Sequence, residues 1–351
     1  MGRHSKKRRV MRHNPAFKKS LVWGILIAAA VPGVLSTAVL YDHVRQSWDG
    51  LAADTAVLSA MYTVPDRAFE QLRERFAQPS DPQQLIPPQR QEEQPPPTKT
   101  QPPPEPVEIP EEYRGTVVEE DLAAAGSSLC FGSGRIKNAT SLSEQQVEEY
   151  LAQPQPFLLD RQGPQVLIMH THATESFEPY DSEIYDTRHT WRSTDNSENI
   201  VAAGEVMAQA IRSHGIEALH DDTQHDYPSY NGSYERSAET VKEYLAKYPS
   251  IKVVLDVHRD AVQRDSTLVK PVTQINGKKA AQMMIIAGCD DGTMEMPNWG
   301  KNLRFAAGIQ DAIESRWQGL TRPIFFCYRK YNQDLTTGSL LLELGSHGNT
   351  L

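Results

Sequence analysis

From residue 113 to 351, short apolar runs alternate with stretches whose apolar positions recur every three or four residues. Val166-Leu-Ile-Met169 stops at His170-Thr-His172, Ile251-Lys-Val-Val-Leu-Asp-Val257 stops at His258, and Ser339-Leu-Leu-Leu342 continues through Glu343 to Gly345. Brief apolar runs bounded by polar residues predict buried strands. Further strands are predicted within 130–139, and at 216–219, 271–275, 283–287 and 324–327. Helical spacing predicts helices over 143–152, 199–214, 237–247 and 302–317, with 170–194 largely irregular. The second helix carries Ile200, Ala203, Val206, Met207, Ala210 and Ile211 on one face and ends at Gly215. The first starts Ser143-Glu-Gln-Gln146, a capping-box pattern. The alternation predicts an α/β fold, a mostly parallel sheet flanked by helices.

Residues 21–41 hold no charged side chain and follow a tail (1–20) with eight Lys or Arg and no acid. At about 1.5 Å per residue, such a helix matches the roughly 30 Å hydrocarbon core of a bilayer. The basic tail puts the N-terminus in the cytoplasm and the rest outside, as in a single-pass cell-membrane protein. A cleaved signal peptide is the other reading. The length of the apolar region and the lack of an A-x-A site favour an uncleaved signal anchor. Residues 42–77, with Leu51, Val57, Leu58, Phe69 and Leu72, predict a juxtamembrane helical segment or a docking surface for another membrane protein. Twelve of the 24 prolines lie in 78–110. They mark 78–112 as an extended linker that, at about 3 Å per residue, reaches on the order of 100 Å. The folded domain is assigned to 113–351. The net charge of −9 becomes −17 once the +8 tail is set aside, which argues against nucleic-acid binding. Three scattered cysteines (Cys130, Cys289, Cys327) form neither a zinc knuckle nor a complete disulfide framework.

The chemistry gathers at the ends of the apolar runs. His172-x-x-Glu175 can place two ligands on one turn, and His258 would complete the three-ligand set of a catalytic zinc site. Glu343, inside an apolar run, suits an acid/base role beside it, or an ion pair with Arg259. His170 shares a strand face with His172 if the strand continues, and is a rival ligand or an electrophilic neighbour. Glu198, just ahead of the 199–214 helix, competes with Glu175 for the carboxylate position, or simply complements the helix N-terminus. Arg259 and Tyr234 are the substrate-facing candidates. Tyr234 belongs to a cluster with Tyr227, Tyr230, Asn231 and Arg236 that reads equally as a helix entry.

His170-Thr-His172-Ala-Thr-Glu175-Ser176, Asn199-Ile-Val, His220-Asp-Asp, Tyr230…Ser233-Tyr234…Ser237, Asp256-Val-His258-Arg259-Asp260-Ala261 and Leu342-Glu343-Leu-Gly345 together resemble the stage II sporulation protein P family, from about Cys130 onward. The resemblance implies kinship with zinc-dependent N-acetylmuramoyl-L-alanine amidases. It implies zinc on His172 and His258 with Glu343 in the acid/base role, and Glu175 (alternatively Glu198) as the carboxylate ligand; His170 stands beside them as a further catalytic candidate. It also implies hydrolysis of septal peptidoglycan during sporulation and forespore engulfment, with endopeptidase activity as a further option. The implied partners are a sporulation lytic transglycosylase and a polytopic membrane protein of the engulfment complex. In the related amidases the carboxylate ligand sits several residues ahead of the helix, a place held here by Thr194-Asp195, so Glu175 and Glu198 both stay open. Another helix would be expected after the Glu343 motif, but the sequence stops at Leu351. Two other readings stand beside the amidase: a zinc carboxypeptidase acting on stem peptides, and a catalytically inactive wall-binding scaffold.

Overall fold

Strand β7 (Val253–Asp260) is buried along all but its last residue and lies in the interior of an eight-stranded sheet. The computed structural model describes residues 108–160 and 162–351. The predicted basic tail, membrane segment, juxtamembrane helix and most of the Pro-rich linker lie outside the described residues. Among the described residues no helix is long and apolar enough to cross a membrane. After a short 3-10 turn (Glu111–Tyr113), β1 (Arg114–Glu120), β2 (Leu129–Phe131) and β3 (Gly134–Asn138) precede helix α1 (Glu144–Leu151). Then come β4 (Val166–Met169), β5 (Ile184–Asp186), α2 (Ile200–Ser213), β6 (Ala218–His220), α3 (Ser233–Lys247) and β7. The chain continues with β8 (Gln263–Arg264), β9 (Thr267–Ile275), β10 (Lys278–Ala281), β11 (Met283–Gly288), α4 (Trp299–Glu314), β12 (Ile324–Cys327) and β13 (Gly338–Ser346).

The large sheet runs β2-β3-β12-β11-β13-β7-β4-β6. The α/β class is as the pattern predicts, but the sheet is mixed: β11 is antiparallel to β13 and β2 to β3, while the other neighbours run parallel. A second sheet, absent from the sequence reading, joins β10, β9, β1 and β5, with β8 paired to β9.

Local chemistry explains the helix starts. Ser143 and Gln146 make the reciprocal capping box at α1. Asn199 caps α2 by accepting from the Val201 amide at 2.9 Å. Side chains alternate across the central strands, and this decides everything downstream. Val166, Ile168, Leu255, Val257, Leu340 and Leu342 point to the face packed by α2 and α4, including Met207, Ile211, Leu303 and Ile309. Leu167, Met169 and Val254 point to the opposite face, against Val241 of α3. Each fully buried aliphatic side chain contributes about 1.5–3 kcal/mol, so the two-faced core fixes the register strongly. Within it Glu343 of β13 lies directly across from His258 of β7, and Met169 of β4 across from Asp256.

Candidate active site

Asp256 and His258 alternate with Leu255 and Val257, so they emerge on the α3 face, as does Glu343 on the neighbouring strand. The site therefore stands at the C-terminal ends of parallel strands β4, β7 and β13, where α/β sheets usually place their chemistry. Immediately after Glu343 the pairing slips between Glu343 and Ser346, and Gly345 takes φ 62°. A Cβ at Gly345 would lie 2.7 Å from Asn349 Oδ1, so this bulge needs glycine.

The two histidines of His170-Thr-His172 part company. Strand β4 ends at Met169, so the same-face relation of residues two apart does not extend to this pair. His170 faces α2: its Nδ1 lies 2.8 Å from the Val257 carbonyl and its Nε2 2.9 Å from His220 Nε2. His220 Nδ1 in turn meets Glu205 Oε2 at 3.0 Å. Burial and the neighbouring His220 push His170 down to about 3, so its ring is neutral. It then donates from Nδ1 to the carbonyl and accepts at Nε2 from His220. His172, carried by the turn that follows, swings to the other side. Its ring stands edge-on to that of His258, centroids 5.2 Å apart, and stacks on Tyr230 at 4.5 Å.

Asp256 fastens this turn to β7. Its carboxylate accepts from the Thr171 amide at 2.8 Å and the Thr171 hydroxyl at 2.7 Å, and that hydroxyl also meets Ser237 Oγ of α3 at 2.8 Å. Asp226 does the same one turn later, accepting from the Thr174 amide and hydroxyl at 3.2 and 2.6 Å. Between these anchors Glu175 is 7% exposed, accepts from the Arg259 amide at 3.1 Å, and reaches within 3.6 Å of His258 Nδ1. Burial opposes its charge, but His258 and Arg259 outweigh it and hold Glu175 at about 2. Burial likewise opposes a charge on His258; Asp256 and Glu175 reverse that and raise it well above the ordinary imidazole range. Glu343 meets the opposite balance. Burial lifts it to about 8, and its Oε2 is buried without a hydrogen-bond partner.

His172, Glu175, His258 and Glu343 thus come from three strand ends to one side of the sheet. Glu198 is exposed and accepts from Ser193 Oγ at 3.3 Å, outside this group. The guanidinium of Arg259 is occupied by the backbone carbonyls of Ser176 (2.8 Å) and Trp191 (2.9 Å). Tyr234 sets its ring 5.5 Å from that of His172, edge-on, with burial raising its hydroxyl. Sequence reasoning gave no separate role to Asp256, Asp226, Glu205 or His220. Asp256 and His220 stand inside the family motifs, which is the signal that marks them.

The donors fit a zinc ion in their chemistry: two imidazoles and a carboxylate, with His258 Nε2 buried and lacking any well-aligned partner. That nitrogen lies 2.8 Å from Asp256 Oδ1 but out of line for a hydrogen bond. Among the described residues no three His, Cys, Asp or Glu side chains are already gathered around one point. A zinc ion held here would draw His172, Glu175 and His258 together and take the place of a proton on His258.

The family model described as stage II sporulation protein P (SpoIIP) matches residues 90–351. The stage II sporulation protein P of Bacillus subtilis (strain 168) is 28% identical over 232 residues, covering 62% of this chain and 54% of the relative. The chain thus spans about half the length of that curated relative. Among solved structures, the apo form of the N-acetylmuramyl-L-alanine amidase Ami1 from Mycobacterium abscessus aligns at 13% identity and a TM-score of 0.30, over 54% of this chain and 86% of that one. A likeness of that size carries no argument about fold or activity.

Proposed function

The chain belongs to the stage II sporulation protein P family, and from that premise we propose that it is a zinc-dependent peptidoglycan hydrolase of sporulation. Its proposed reaction is that of an N-acetylmuramoyl-L-alanine amidase, cutting the amide between glycan and stem peptide. The observation that carries the reading is the convergence of His172, Glu175 and His258 on one side of the sheet beside Glu343, whose Oε2 is buried without a hydrogen-bond partner.

Zinc held by His172, Glu175 and His258 would supply Lewis-acid polarisation and a more acidic water. The chain's own residues supply the rest. Glu343, raised to about 8 by burial, would ionise beside a bound cation, and as a carboxylate it takes a proton from the attacking water and passes it to the leaving amine. Asp256 holds the His172 turn in place through Thr171, and the Arg259 amide orients the Glu175 carboxylate. Tyr227 and Tyr230, 59% and 56% exposed, offer flat faces to a substrate at the mouth. The proposed setting is a cell-membrane anchor at 21–41, with the catalytic domain outside and the lytic transglycosylase and polytopic membrane protein of engulfment as partners.

Arg259 lends the carboxypeptidase reading little, since its Nε and Nη2 both donate to backbone carbonyls. The proposal is tested by treating the full chain with a chelator and restoring zinc. Release of wall fragments should stop and return, with about one zinc bound per chain. Undiminished release from metal-free protein would overturn it.

A further inference from the structure

The inference deepens the amidase reading and rests on it: the site contains an arginine whose guanidinium is only half used. Residues 174–176 and 191–193 run side by side, with Ser176 N–H donating to the Trp191 carbonyl at 3.0 Å and Ser193 N–H to the Thr174 carbonyl at 2.9 Å. Glu175 and Arg192 are directly opposed in this short antiparallel contact, so their side chains leave on the same side. Arg192 Nη1 donates to Asp226 Oδ2 at 2.8 Å and to Thr174 Oγ1 at 3.2 Å, which fixes one end of the guanidinium. Nη2 lies 3.7 Å from Glu175 Oε1, beyond hydrogen-bond distance. Neither Nη2 nor Nε makes a hydrogen bond among the described residues, and the side chain is 36% exposed. The cation also sits over the ring of Tyr230, 5.3 Å from its centroid, and Tyr230 in turn stacks on His172.

An arginine tied down at one nitrogen, braced by an aromatic ring and open along its other edge is a preorganised fork for a carboxylate. Asp226 is buried and already engaged, and Glu175 commits Oε2 to His258 and the Arg259 amide while its Oε1 stands too far from Arg192 Nη2 to accept a hydrogen bond. The open edge therefore calls for an anion from outside. We propose that Arg192 forms a carboxylate subsite beside the reacting amide and selects for a negatively charged stem peptide. A wall stem offers two such groups: the α-carboxylate left free where glutamate is linked through its side chain, one residue past the scissile amide, and the carboxylate at the end of the peptide. The first lies closer to the cut bond, and we assign it to Arg192.

The test uses the zinc-loaded full chain and muramyl peptides that differ in one group. One pair carries the second-residue α-carboxylate or its carboxamide; the other carries a free or amidated C-terminus. Wild type should prefer the α-carboxylate by about 10- to 100-fold in kcat/KM, mostly through KM, the size of a charge-assisted hydrogen bond. It should ignore the C-terminal change. In Arg192→Gln the preference should collapse to about one whatever the overall rate, and Arg192→Lys should restore part of it. Calorimetric binding of the same peptides reads the ratio without turnover. Binding that keeps the ratio while neither peptide is cut would sink the amidase reading and leave the subsite standing. An equal ratio in wild type and Arg192→Gln, or a preference that follows the C-terminus, would overturn the assignment.

Discussion

Gly204→Ala tests the buried chain of side chains behind the site. Gly204 is buried in α2, and a Cβ there would lie 2.4 Å from His170 Nε2 and 2.8 Å from His220 Nε2. Neither ring can retreat. His170 is held by the Val257 carbonyl at 2.8 Å and His220 by Glu205 at 3.0 Å. Alanine would gain about 1 kcal/mol of helix propensity over glycine. Against that stand a lost hydrogen bond of about 0.5–1.5 kcal/mol and overpacking of about 1–3 kcal/mol. The net expectation is a loss of about 1–3 kcal/mol. Urea denaturation followed by tryptophan fluorescence should show a lower midpoint at unchanged slope. A midpoint equal to or above wild type would refute the reasoning, because helix propensity would then outweigh the His170–His220 contact.

Glu205→Gln probes the same network through pH. Burial opposes the charge of Glu205, but His220 and Gln209 overcome it and hold the carboxyl at about 2, so its stabilisation is complete above its unfolded value and fades as pH falls toward 2. The variant should lose on the order of 2–3 kcal/mol at pH 7, with the gap to wild type closing in acid; a gap independent of pH would contradict this. Glu175→Ala should lose bound zinc while Glu198→Ala keeps it, read by metal analysis; the reverse would move the carboxylate ligand to Glu198. Glu343→Gln should retain zinc and lose at least about a hundredfold in turnover, the usual scale of a general acid–base group, whereas equal zinc loss would make Glu343 a ligand.

The sequence reveals the centre of this molecule better than its edges. Strands β4, β7, β12 and β13 are legible because both faces are buried and the apolar run is nearly continuous. β1 (Arg-Gly-Thr-Val-Val-Glu-Glu) is not, because only Gly115 and Val117 are buried in it. The hairpin of β9 and β10 did carry a signal: Asn276-Gly277, with φ 52° and 77°, is the residue pair that two-residue hairpin turns favour. The predicted 237–247 helix begins four residues earlier at Ser233, after Gly232 at φ 82°. This places Tyr234 on the helix rather than in the loop ahead of it. His170 and His172 show the limit of strand periodicity, which holds only as far as the strand. The His172-x-x-Glu175 turn is local and legible, whereas the approach of Glu175 to His258 of β7 is a tertiary contact. Arg192 on Asp226, 34 residues apart, is a tertiary pairing with no local pattern to announce it.

The central claim is that this site cuts the amide between glycan and stem peptide. Digestion of purified sacculi by the zinc-loaded full chain, with the new termini identified by mass spectrometry, tests it most directly. The account predicts free N-terminal L-alanine on the released stems and peptide-free muramic acid on the glycan, both absent with Glu343→Gln. New C-terminal carboxylates within stems whose link to the glycan stays intact, or no new termini at all, would contradict it.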